Sequence, residues 1–181
     1  KQLPYIPPFE GKMLHHFEGL KTDEERIEAA RMLAAMPIMT DIDLTDAEWN
    51  VESDSRLPGV WEVAAKRNDA FVYRAIINDN GEIFAVDNNA YPMPEGKESR
   101  IYLTDPWKFS ATEFARDWVN AACPSVADLV TEIRCVVAYE RGGKAFCLVE
   151  VMLKEMPYTN ILFEFQLTPQ VRIIRVSPGV G

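Results

Sequence analysis

The last third of the chain constrains its fold most. After Ala127 four apolar runs follow in close order, Glu132–Tyr139, Ala145–Leu153, Asn160–Leu167 and Val171–Val176. Turn residues separate them at Gly142-Gly143, Met156-Pro157 and Thr168-Pro169. A parallel pair of strands needs a crossover of a dozen or more residues. These connections are far shorter, so the runs read as antiparallel neighbours in a four-stranded meander.

Side-chain parity argues the register of the first hairpin. A two-residue Gly142-Gly143 loop pairs Cys135 with Glu150 and sets a carboxylate beside an apolar face. A three-residue loop with a bulge sets Ile133, Cys135, Val137 and Tyr139 opposite Leu153, Val151, Val149 and Cys147. A one-residue slip moves every side chain across the sheet, so burial favours the bulged loop. In that register Cys135 and Cys147 stand roughly 13 Å apart along the strand, at ~3.3 Å per residue. That is too far for a disulfide.

Such a platform needs a cover. Ala111, Phe114, Ala115, Trp118, Val119 and Ala122 form a stripe at helical spacing. Ser110 with Glu113 reads as its capping box, and Pro124 bounds a helix over 111–123. Thr22 with Glu25 opens an earlier helix, bounded by Pro37, over about 22–36. Thr45 with Glu48 forms the same pattern and predicts a short helix carrying Trp49. Val60–Lys66 reads as a strand or a short helix. Phe71–Ile77 and Glu82–Val86 form a hairpin through Asn78-Asp79-Asn80-Gly81, where Asn and Gly tolerate positive φ. Arg100–Leu103 adds a short strand. Pro4, Pro7 and Pro8 make residues 1–20 an extended Pro-rich arm, ahead of a single domain over 21–181. The fold class is therefore α+β: N-terminal helices and a central amphipathic helix packed on a curved antiparallel C-terminal sheet.

This element order resembles the cone-shaped nuclear-transport-factor-like architecture, and Gly59-Val60-Trp61 is similar to the Gly-x-Trp entry of lipocalin-like barrels. Neither resemblance brings a site motif, and the chain is assigned to neither family.

Composition narrows function by exclusion. The net charge is −9. Residues 131–181 hold six Lys/Arg against five Asp/Glu, so the acidity lies in the front of the chain. Nucleic acid is not the expected partner, because phosphate binding needs clustered cations. No apolar run reaches the ~18 residues of a membrane span. The Lys1–Phe17 stretch lacks the apolar core of a signal peptide, and the compartment is left open.

Catalytic and metal chemistries find few candidates. Cys135 and Cys147 read as buried small hydrophobes. Cys123 sits at a helix C-terminus, where the dipole disfavours a thiolate. The histidines, His15 and His16, are adjacent and point apart on an extended arm. Asp41, Asp43 and Asp46 read as helix entry rather than a cation site. Glu150 and Glu164 read as salt-bridge partners of Arg134, Arg172 or Arg175. No phosphate-binding glycine motif and no Gly-x-Ser-x-Gly motif occurs. No cofactor and no metal is expected.

The remaining signal is the segment Asn88–Phe109, rich in aromatics and Met. Long loops of this kind are often binding elements. Tyr91, Met93, Tyr102 and Trp107 are the candidate binding residues, because such side chains supply contact area with few polar groups to desolvate. The reading is a non-catalytic protein-interaction or assembly module whose partner is another protein, or a second copy of the chain. The alternative is a small-ligand binder or enzyme with a pocket between the curved sheet and the 111–123 helix.

Overall fold

The structure is a computed structural model that describes residues 3–9, 19–40, 42–54, 58–89, 91–154 and 158–180. It is an α+β fold built on one antiparallel sheet of nine strands. The elements in order are α1 (Asp23–Ala34), β1 (Glu48–Ser53), β2 (Val60–Arg67), β3 (Ala70–Asn78), β4 (Ile83–Asp87) and β5 (Ser99–Arg100). They continue with α2 (Asp105–Ala122), α3 (Pro124–Ala127), β6 (Val130–Arg141), β7 (Lys144–Leu153), β8 (Tyr158–Gln166) and β9 (Arg172–Val180). The strand order is β1-β2-β3-β4-β9-β8-β7-β6-β5. The expected C-terminal meander is present. It continues through β9 into a second meander, β1–β4, and the sheet stays open rather than closing as a barrel.

Local chemistry explains where elements begin. In α1 the Thr22 hydroxyl accepts from the Glu25 amide and the Glu25 carboxylate accepts from the Thr22 amide, both at 3.2 Å. The helix over 45–48 does not form. Asp43 accepts the Thr45 amide at 2.9 Å and its hydroxyl as well, an aspartate-led turn in place of a Thr45 cap. Glu48–Ser53 instead pairs with β2, and cross-strand pairing outweighs the local helix pattern. The same pairing settles Val60–Arg67 as a strand.

The main helix starts six residues earlier than its pattern predicts. Thr104 precedes it in extended conformation, Asp105 sits in the positive first turn, and Pro106 occupies a position whose amide has no partner to lose. Ser110 and Thr112 are interior. Their hydroxyls donate back to the Trp107 and Phe109 carbonyls at 2.7 and 3.1 Å instead of capping. The buried stripe is the expected one, extended by a turn to Trp107.

Both long helices cover one face of the sheet, α1 over β1–β3 and α2 over β6 and β7, around a shared core. Trp118 is fully buried, 5.4 Å from the Phe163 ring, and Phe114 lies 5.4 Å from Phe165, both edge to face. The two meanders join at only two rungs, Val86↔Val176 and Asp87↔Arg175. Asn88 staples this seam. Its amide group donates to the Ile173 carbonyl at 2.8 Å and to the Met39 carbonyl.

The β6–β7 register corrects the sequence reading. Arg141 pairs with Lys144 across a two-residue turn, with Gly142 and Gly143 at φ +57° and +78°. Two glycines satisfy both positive-φ positions of that turn, so no bulge is needed there. The extra residues sit inside β6, at Thr131 and Val136. The bulge at Val136 switches parity, so Cys135 opposes Val149 rather than the expected Val151, Ile133 opposes Val151 rather than Leu153, and Tyr139 opposes Phe146 rather than Cys147. The expected bulge at the turn and the pairs it implied are therefore replaced by a mid-strand bulge that still sets Ile133 and Cys135 against apolar partners.

Candidate functional site

One end of the sheet carries the exposed apolar side chains Tyr5, Tyr102 and Val136. The arm residues 3–9 lie along α2. Ile6 and Phe9 are buried, with Phe9 5.3 Å from the Phe114 ring. Trp107 is a buried pillar whose indole N–H donates to the Pro4 carbonyl at 2.8 Å. The Ile6 amide donates to the Ser110 hydroxyl at 3.3 Å. These bonds pin the arm and leave a groove of about 350 Å³ lined by Leu3, Tyr5, Ile101, Leu103 and Trp107.

Tyr102 stands at the rim of this groove. It is 96% exposed, and on its other side lies a smaller hollow of about 170 Å³ that Arg100, Lys108 and Cys135 help to line. Tyr5, Phe109 and Val136 are 50%, 65% and 44% exposed. Tyr5 shares the larger hollow with Tyr102, Val136 shares the smaller one, and Phe109 follows Lys108 on α2. The reason is topological. β5 pairs with β6 for two residues, the Ile101 amide adds a bond to the Ala138 carbonyl at 2.9 Å, and the chain then leaves the sheet to start α2. The outer edge of β6 from Thr131 to Val137 has no strand partner among the described residues.

The parity switch brings two thiols into this end. Cys135 and Cys147 lie diagonally on the core side of adjacent strands, Cys135 opposite Val149 and Cys147 opposite Ala138. The four-position offset expected from the sequence, about 13 Å, is thus replaced by a diagonal neighbour, because the Val136 bulge sets Cys135 opposite Val149 rather than Val151. The Cys147 hydrogen bond and the Lys108 charge lower the Cys135 thiol, against its partial burial. Burial pushes Cys147 well up. Cys123 is buried far from this pair in sequence, and burial with the Glu82 charge raises it.

The four candidate residues divide between places. Tyr102 and Trp107 share the groove. Tyr91 packs elsewhere, its hydroxyl 3.3 Å from the Thr40 hydroxyl and its ring 4.1 Å beneath the Arg172 guanidinium. Met93 lies over the hairpin end of the sheet, where its sulfur accepts the Tyr139 hydroxyl at 3.9 Å. That segment is held by Pro94 against Gly142 and by the Glu98–Arg141 ion pair.

The sheet face away from the helices carries an ionic ladder. Arg74 lies 3.1 Å from Asp87 and 3.8 Å from Glu62, and Arg175 lies 3.9 Å from Asp87. Glu150 takes Arg134 at 2.9 Å and Asn160 at 2.7 Å, and these hydrogen bonds lower its carboxyl. Burial raises Glu164, with Asp87 adding and Arg175 opposing. Of the aspartate group, Asp43 is engaged by Thr45 and Asp41 lies outside the described residues, as do His15, His16 and the Met156-Pro157 turn. Among the described residues no cluster of three His, Cys, Asp or Glu side chains is placed to hold a metal, and no helix is long and apolar enough to cross a membrane.

Compared with family models, curated proteins and solved structures, the chain matches none.

Proposed function

We propose that the chain is a non-catalytic protein-interaction or assembly module that docks its partner on the groove flanking Tyr102. The observation that carries the reading is the gathering of the exposed apolar side chains Tyr5, Tyr102 and Val136 around two adjoining hollows at one sheet edge. Contiguous apolar exposure on an otherwise polar surface marks interaction sites. An aromatic rim beside hollows is the arrangement in which anchor residues dock. The rim also carries Arg100 and Lys108 on a chain of net charge −9. The fitting partner is an apolar segment flanked by carboxylates. The space between α2 and the sheet, where a ligand pocket would lie, is filled by the Trp118, Phe114, Phe163 and Phe165 rings.

The test compares the protein with its Tyr102→Lys variant. A fully exposed side chain contributes little to folding, so the unfolding midpoint changes by less than about 0.5 kcal/mol equivalent. Partners retained from an extract of the source cells are identified by mass spectrometry, and light scattering follows self-association. A protein or a second copy held by the parent and lost by the variant supports the reading. Equal retention by both, or a retained small molecule without a protein, overturns it.

A further inference from the structure

Cys135 and Cys147 are a titratable pair in the core, one member of which reaches the surface. Cys135 is half-buried and opens into the hollow beside Tyr102, with Arg100 and Lys108 at its walls. Cys147 is sealed behind it, with no exposed surface. The two lie diagonally on the core face of one antiparallel pair, Cys135 opposite Val149 and Cys147 opposite Ala138. We propose that Cys135 and Cys147 form a redox-active dithiol, converted to an intramolecular disulfide by small anionic disulfides such as glutathione disulfide. The assignment stands whether or not a protein docks at the groove.

Access and charge set the order of events. The oxidant reaches only Cys135, and its carboxylates match the Arg100 and Lys108 cations at the hollow. The hydrogen bond from Cys147 and the Lys108 charge favour the Cys135 thiolate, the attacking species in exchange. That thiolate attacks one sulfur of glutathione disulfide. A mixed disulfide forms on Cys135 and one glutathione thiolate leaves. The Cys147 sulfur then attacks the Cys135 sulfur and breaks the mixed disulfide. Its proton passes to the second departing glutathione sulfur. In sum the protein loses two electrons and two protons, and one glutathione disulfide becomes two glutathione thiols.

The geometry also says what kind of bond results. Diagonal neighbours in an antiparallel pair stand about 7–8 Å apart, slightly beyond the roughly 4.4–6.8 Å span of a relaxed disulfide. Closure draws β6 toward β7, and the unpaired bulge at Val136 supplies the slack. A bond formed under such strain is readily reduced, so the pair cycles rather than serving as a permanent cross-link.

The experiment equilibrates the full chain in glutathione buffers of increasing oxidised fraction, quenches exchange in acid, unfolds the chain, alkylates the free thiols, and maps the peptides by mass spectrometry. The expected result is joint loss of two alkylation sites and a linked Cys135–Cys147 peptide, with Cys123 alkylated throughout. Cys147→Ser is expected to stop at glutathione on Cys135, and Cys135→Ser to leave Cys147 unmodified. Two results overturn the proposal: alkylation of both thiols at every buffer ratio, or glutathione accumulating on Cys135 of the parent without the internal bond. The peptide map of the parent protein decides the matter even where a variant fails to fold.

Discussion

The sheet ends in two free edges that meet the same hazard differently. An unpaired strand edge offers backbone donors and acceptors to any passing strand. At β1 the exposed side chains are Glu48, Glu52 and Ser53, and Trp49 turns back half-buried beneath the Arg31 guanidinium, 5.4 Å away. Charge defends that edge. At the far end, β5 shields only two residues of β6, and β6 is deformed by bulges at Thr131 and Val136. Bulges bend and twist a strand out of pairing geometry. Here the apolar side chains Tyr102 and Val136 remain in water. The contrast teaches that closing an edge to backbone pairing does not require hiding its apolar surface. A bulged edge refuses another strand while still presenting side chains for docking.

The sharpest way to break the comparison is to remove each edge's tryptophan. Trp107→Ala deletes a buried pillar and its bond to Pro4, and is expected to cost about 3–5 kcal/mol. Trp49→Ala, at the half-buried site, is expected to cost about 1–2 kcal/mol in proportion to the area it buries. Urea unfolding of both measures this, and equal losses would show that the two edges are held alike.

Glycine replacement at the β6–β7 turn has a smaller effect. A Cβ on Gly142 meets the Pro94 Cβ at 2.7 Å, at φ +57°. Gly143 has φ +78° and nothing within 4 Å. Gly143→Ala is expected to cost about 1–2 kcal/mol from backbone strain. Gly142→Ala adds displacement of Pro94 and reaches the upper part of the roughly 1–3 kcal/mol range for strained sites. Thermal melts that rank Gly143 as the costlier site would mean that the 91–98 segment does not brace this end.

The smallest expected effects belong to the polar face between the edges. Glu150 is lowered by Asn160 and Arg134. Its stabilising contribution is full above the ordinary value of 4.5 and fades as pH falls through its depressed folded value. Glu164 is raised by burial, so its ionisation opposes folding as pH rises through the raised value. Glu164→Gln is therefore expected to be more stable than the parent at neutral pH, with the gap closing in acid. Glu150→Gln is less stable at neutral pH, and its gap also closes in acid. Urea midpoints across that range check both signs.

Much of this fold is legible in the residues themselves. The Thr22 capping box, the Trp118 stripe, the Asn78–Gly81 hairpin and the C-terminal meander follow from local chemistry that the tertiary structure leaves intact. The failures share one cause. Thr45–Glu48 and Ser110–Glu113 match a cap in sequence, but Asp43 takes the first hydroxyl and an earlier start at Thr104 absorbs the second. The joining of the two meanders at β4–β9 leaves no local trace, because it rests on two rungs and on Asn88. The groove is half legible. Tyr102 and Trp107 stand out as aromatics in a long connection, whereas in the hollow beside them Val136 and Cys135 owe their placement to a bulge that parity alone places at the turn.

The position of β9 also has a consequence for biosynthesis. It lies at the centre of the sheet yet follows every other described strand. While the ribosome is still translating residues before 172, the β1–β4 hairpins have no neighbour to continue onto, and their inner margin at β4 waits uncovered. Until the closing strand emerges, the β4 margin stays open to a foreign strand, and that interval is the one in which shelter from neighbouring chains matters most.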